Sequence, residues 1–259
     1  MRWFALNVPE WLSILIFLGG LPALMLILQT IVRRTFPNWE RGDHNDAAGV
    51  MLSAAVVVYS VAIGLCVVTL WGKLDSAQQA TQAEATNLVA IAEGSRVFDA
   101  TVQEQIRSEA IAYNRDVVDH WSLRIRGESQ LQVGRDLDGL VATVGQLEPR
   151  TEAQRAFVED AVGRLTQAGE LRVESVRLAH DQQLPGVVWL AVLGSSVVVL
   201  GLCLTCGVRD GVLRRILLIG VTATVGINLF LVTELNYPFY GDIRVGPDSY
   251  QNAVTLLAE

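Results

Sequence analysis

Four long apolar runs divide this chain: Trp11–Val32, Ala47–Trp71, Val187–Val208 and Ile216–Leu235. Each is about as long as the roughly 20 residues a helix needs to cross a bilayer. The last run carries no charge until Glu234 and ends in Asn236-Tyr237-Pro238-Phe239-Tyr240-Gly241. Aromatics crowded around a proline and a glycine suit a turn at the membrane interface better than a helix. Gly19, Gly20 and Pro22 fall inside the first run and predict a kink or a close helix contact there. The run is too long for a signal peptide, and no small-x-small cleavage site follows it, so it is read as a retained span. In the second run Gly49, Ser53, Ala54, Ser60 and Gly64 make one side small. Ser60-x-x-x-Gly64, and Ala191-x-x-x-Ser195 in the third run, have the spacing that lets another helix approach closely. Those four residues and Asn228 are the candidate helix-packing positions.

Between Lys73 and Asp181 the pattern becomes that of polar helices with one buried stripe. Ala77, Ala83, Ala85, Leu88 and Ile91 alternate with glutamines and Glu84, so the second span is expected to run on to about Gly94. Ile106, Ala110, Tyr113, Val117 and Trp121 have the three-to-four spacing of a helix from about Asp99 to Arg126. Val133, Leu137, Leu140, Val144 and Leu147 mark a helix over Gln130–Leu147, which Pro149 ends. Phe157, Ala161, Leu165, Ala168 and Val176 mark another over Glu152–Gln183. Thr101-x-x-Glu104 and Thr151-x-x-Gln154 are possible capping boxes. A short amphipathic helix through Val254, Leu256 and Leu257 is expected after Gly246-Pro247-Asp248. No segment has strand periodicity. The expected fold is an all-α integral membrane protein, four transmembrane helices with a helical-bundle soluble insert between the second and third. Residues 1–72 hold the first two spans, 73–184 the soluble module, 185–241 the last two spans with the aromatic tail, and 242–259 a C-terminal tail.

Composition agrees: 51% of residues are hydrophobic, mean hydropathy is +0.36, and charged residues make up 18% against about 25% in ordinary soluble domains. The net charge of −7 comes mostly from the polar module, which argues against a nucleic-acid partner. Cys66, Cys203 and Cys206 all lie in apolar runs, so no disulfide framework is implied. Asp43-His44-Asn45-Asp46 lacks the further Cys or His that would complete a metal site. A di-iron centre in the bundle would need paired Glu-x-x-His motifs, and His120 and His180 lack a glutamate three residues before them. With no phosphate loop, dinucleotide fingerprint, nucleophile elbow or zinc-protease motif either, the expectation is a non-enzyme without a cofactor. The spans hold Gln29, Asn228 and scattered Ser and Thr, but no charge near a midplane, which disfavours a proton-coupled pump.

Orientation follows from arginine. Arg33, Arg34 and Arg41 lie between the first two runs, and Arg209, Arg214 and Arg215 between the last two. Counting cations in short loops puts both on the cytoplasmic side of an inner membrane, with the termini and the module outside it.

The order of parts resembles a known family: two spans, a helical insert, two more spans, then an aromatic-proline-glycine tail. The insert carries Glu84-Ala85-Thr86-Asn87-Leu88 and Ala112-Tyr113-Asn114-Arg115-Asp116-Val117-Val118 with His120-Trp121. The return to the membrane reads Leu184-Pro185-Gly186-Val187-Val188-Trp189, and the end reads Leu235 to Gly241, then Val245-Gly246-Pro247. This is similar to the uncharacterised bacterial bestrophin-like membrane proteins, whose members end in Leu-Asp-x-Pro-Phe-x-Gly. Here Asn236 stands at the aspartate position. The more distant resemblance to bestrophins implies a homo-oligomeric, pentameric anion channel with a cytosolic soluble region. No residues of the bestrophin pore neck or calcium clasp can be matched. The expected function is an ion (anion) channel in contact with membrane lipid. Asn236, Pro238, Phe239, Tyr240 and Gly241 are its candidate pore-mouth or subunit-contact residues. The competing reading is a non-conducting envelope sensor or scaffold that binds a protein partner through the acidic module.

Overall fold

Hydrocarbon offers no hydrogen bonds, so a spanning segment must satisfy its own backbone, and the helix does so within one segment. The computed structural model describes residues 10–35, 45–126, 132–180, 184–205, 211–241 and 243–259, and every regular element among them is helical. The chain forms two compact units, Met1–Lys73 with Gln182–Ile243 and Leu74–Asp181 with Arg244–Glu259. Four helical segments are long and apolar enough to cross a membrane: Trp11–Thr35, Ala48–Val97, Gly186–Thr205 and Gly211–Leu235. Arg41, Asp43, His44, Cys206 and Arg209 lie outside the described residues.

In the membrane unit, span one is built from α1 (Glu10–Ile14), a π-helical turn (Leu15–Gly20) and α2 (Leu21–Thr35). Pro22 explains the wide turn. Its ring collides with the carbonyl four residues back and it has no N–H to give. The turn widens so that the Leu21 N–H reaches the Ile16 carbonyl, five residues back. The irregularity expected at Gly19, Gly20 and Pro22 takes the form of this π-helical turn. The close contact is elsewhere. A Cβ on Gly19 would meet nothing within 4 Å, whereas one on Gly226 would run into the Phe17 carbonyl oxygen and lie 3.0 Å from its carbon. Phe17 also meets the Phe230 ring at 6.3 Å. Gly226 is thus the point where span one crosses span four.

Span two begins α3, one unbroken 50-residue helix from Asn45 to Gly94, which continues past the apolar run as its periodicity predicted. Span three is α8 (Gly186–Thr205) and span four is α9 (Gly211–Leu235). Span four is the most enclosed of the four and span two the least. Hydroxyls in the spans bond carbonyls of their own helix: Thr69 to Leu65 at 2.8 Å, Ser196 to Val192 at 2.7 Å, Thr233 to Leu229 at 2.7 Å. Such back-bonding lets a polar side chain stay in an apolar surrounding.

The bundle unit holds the end of α3, α4 (Ala100–Asp119), α5 (Trp121–Arg126), α6 (Gln132–Gly145), α7 (Glu152–His180) and α10 (Asp248–Ala258). Its core joins Leu88 and Ile91 of α3 to Ile106, Ala110, Tyr113 and Val117, the stripe expected on α4, and to Leu140, Val144, Phe157 and Leu165. Two expectations need correction. Asp99 caps α4, its carboxylate accepting the Thr101 and Val102 N–H groups at 3.0 and 3.2 Å, so Thr101 is not the cap; an extended Asp is among the best N-cap residues. The single helix to Arg126 is interrupted at His120, which leaves helical geometry while its Nδ1 pairs with the Asp116 carboxylate at 2.8 Å. The second capping box forms as read: Thr151 Oγ accepts the Gln154 N–H and Gln154 Oε1 accepts the Thr151 N–H, both at 3.2 Å. On α10 the buried stripe is Tyr250, Ala253 and Leu257, and Leu256 is exposed.

Candidate functional site

The tail after span four folds into a tight turn. The Tyr240 N–H bonds the Tyr237 carbonyl at 3.0 Å, which puts Pro238 at the second turn position, where its fixed φ fits. Gly241 follows at φ +80°, and a Cβ there would lie 3.2 Å from the Glu234 carboxylate carbon and closer still to one of its oxygens. Tyr237, Phe239 and Tyr240 are buried at 3%, 2% and 9% exposure, so the aromatics are packed within the chain and not displayed on its surface. Asn236 is wholly buried. Its Oδ1 accepts the Leu184 N–H at 3.0 Å, two residues ahead of α8, while its Nδ2 has no hydrogen-bond partner. Asn236 thereby ties the end of span four to the start of span three. Gly241→Ala is expected to cost about 1–2 kcal/mol for the left-handed backbone alone, with a further loss from the clash against Glu234. A lowered melting temperature in detergent measures it, and wild-type melting refutes it.

The helix-packing candidates are spread over spans two, three and four. Ser60, Gly64 and Ala191 are exposed on the unit's surface, and Ser195 is half-buried, its hydroxyl donating to the Ala191 carbonyl at 2.8 Å. Ser195 lines a cleft of about 360 Å³ with Ala54, Ala55, Val58, Tyr59 and Val199. Asn228 donates to the Thr224 carbonyl one turn back at 2.9 Å.

The bundle unit contains a polar cluster built on Glu84, which the sequence pattern groups with the polar positions of α3. Glu84 of α3 is fully buried, with one carboxylate oxygen accepting the Tyr113 hydroxyl of α4 at 2.5 Å and the other accepting the Tyr250 hydroxyl of α10 at 2.8 Å. Both tyrosines are at 0% exposure. A buried carboxyl group is costly unless hydrogen-bonded, and the two tyrosine hydroxyls supply those bonds. Trp121 lies against the Tyr250 ring at 5.9 Å. The signal was in the sequence: Glu84 and Tyr113 sit in the two insert segments quoted above, and Tyr113 is on the predicted buried stripe. The partner of the pair, Tyr250, had no signal. The arrangement fastens three helices to one carboxylate. No group of three or more His, Cys, Asp or Glu side chains able to hold a metal occurs among the described residues.

These features define an all-α membrane protein with four helices long and apolar enough to cross a bilayer. A family model described as Bestrophin-like domain matches residues 19–250, and the chain belongs to that family. Solved structures agree on the fold. Crystal structures of two mutant forms of a bacterial bestrophin homolog from Klebsiella pneumoniae align at TM-scores of 0.74 and 0.73, with 15% and 14% identity. They cover 95% of this chain in both cases and 100% and 97% of theirs. Comparison with curated proteins finds no match.

Proposed function

We propose that the protein is a homo-oligomeric ion channel of bestrophin type, selective for anions and assembled as a pentamer. The observation that carries this reading is the likeness of nearly the whole chain to bacterial bestrophin homologs, spans and bundle together. The surface of span two supports it. Ser60 and Gly64 are exposed there, and small exposed residues suit a close helix contact with a neighbouring subunit. The tail from Asn236 to Gly241 serves as the frame of the pore mouth or subunit contact. With Phe239 and Tyr237 turned into their own subunit, it contributes shape rather than exposed side chains.

Purified protein in planar bilayers is expected to give unitary currents that reverse near the chloride potential in asymmetric salt. An intact oligomer that gives no currents, or currents reversing at the cation potential, defeats the reading.

Orientation has two opposed arguments. The loop arginines put the bundle outside the cytoplasm, and the bestrophin resemblance implies the cytosolic side. The six loop arginines outnumber Lys73, Arg172 and Arg177 on the module side, so the cytoplasmic bundle proposed here rests on the family likeness and not on the count. A fluorescent-protein fusion at Glu259 is then bright and an alkaline phosphatase fusion inactive. The reverse pattern restores the arginine reading.

A further inference from the structure

We propose that the Tyr250–Glu84 hydrogen bond is a clip that lets the C-terminal helix act as a releasable strap, coupling span four to span two. Glu84 rides on α3, the same unbroken helix whose first half is span two. Tyr250 rides on α10, which the chain joins to span four through the tail turn and residues 242–247. One hydrogen bond at 2.8 Å therefore links the continuations of two different spans.

The strap has the properties of a two-state element. It is 11 residues long, below the roughly 12–15 at which an isolated helix becomes even marginal in water. It holds its helical form by docking, so docking and folding are one event. The docked face carries Tyr250, Ala253 and Leu257, all buried in the bundle core, while Leu256 is exposed. Polar fastenings hold both ends. Near the start Tyr250 donates to Glu84, and near the finish the Arg107 guanidinium donates from Nε to the Leu257 carbonyl, where a cation meets the negative end of the helix dipole. Losing the Tyr250 donor strips one oxygen of a buried carboxylate of that bond, which is expensive. The clip is thus held fully or released.

The effect on gating rests on the channel reading, but the coupling itself is read without current. In the intact protein in detergent, Tyr250→Phe is expected to speed hydrogen exchange across residues 248–258 by at least about tenfold, the factor that a lost buried hydrogen bond corresponds to. Exchange at 236–241 should rise with it, while 132–145 stays as in the wild type. Arg107→Gln, which removes the other fastening, is expected to do the same if Tyr250→Phe fails to fold. Leu256→Ala, on the exposed face, should change neither segment. Unchanged exchange in 248–258 overturns the clip. Faster exchange in 248–258 with an unaltered 236–241 overturns the coupling. Absence of current from the wild-type protein would count against the channel reading alone.

Discussion

Gly226→Ala lowers the stability of the membrane unit by about 2–3 kcal/mol, the upper part of the range for overpacking a dense interior, and Gly226→Leu leaves no monodisperse protein to purify. The reason is what the new Cβ would meet. At most glycines of this chain the nearest neighbour would be a movable side chain or nothing; at Gly226 it is the backbone carbonyl of Phe17. Backbone inside the π-helical turn cannot move aside without breaking the Leu21-to-Ile16 bond that accommodates Pro22. Spans one and four would have to separate, losing the Phe17–Phe230 contact as well. Gly220→Ala, on the same helix, is the matched control, because a Cβ there meets nothing within 4 Å. Melting in detergent should fall for the first and hold or rise slightly for the second. Equal melting of Gly226→Ala and wild type would remove the crossing point from this account.

Glu84→Leu is expected to destabilise the bundle unit by about 2–4 kcal/mol, since it leaves two buried tyrosyl hydroxyls without the acceptor they share. The companion result is more diagnostic. The triple change Glu84→Leu, Tyr113→Phe and Tyr250→Phe should recover most of that loss, because removing every polar partner of a buried set can be nearly neutral. Non-additivity of this kind is what residues acting through one contact show. Melting of the single and triple variants, followed by far-ultraviolet circular dichroism, distinguishes the cases. A triple variant no better than the sum of its parts would mean that Glu84 packs there without binding either hydroxyl.

The sequence made the spans legible because their apolar runs are long, and it made the bundle legible because α4, α6 and α7 each carry one stripe at helical spacing. It was weaker wherever a contact joins residues far apart in the chain. Gly226 looked like any glycine in a span, since the partner that makes it indispensable is a carbonyl more than two hundred residues earlier. Gly19 and Gly20 attracted attention by their adjacency, yet a Cβ would find room at Gly19. Glu84 shared its pattern with Gln78, Gln79 and Gln82, all plausible surface, and only the fold shows that it turns inward. On α10 the three candidates Val254, Leu256 and Leu257 pulled the expected face away from Tyr250, because a tyrosine and an alanine look less apolar than they prove to be when buried. The cap at Asp99 was missed for a related reason: two good capping residues stood close together, and the backbone chose the one already extended.

Asn236 carries a chemical consequence for the join between spans three and four. Where the family signature has aspartate, an oxygen accepting the Leu184 amide would belong to a carboxyl group, strong when ionised and weaker once it takes up a proton. The carboxamide in this chain has no proton to gain over the physiological range, so its bond to Leu184 is the same in acid and in neutral medium. In this protein the stitch between the two spans is deaf to pH.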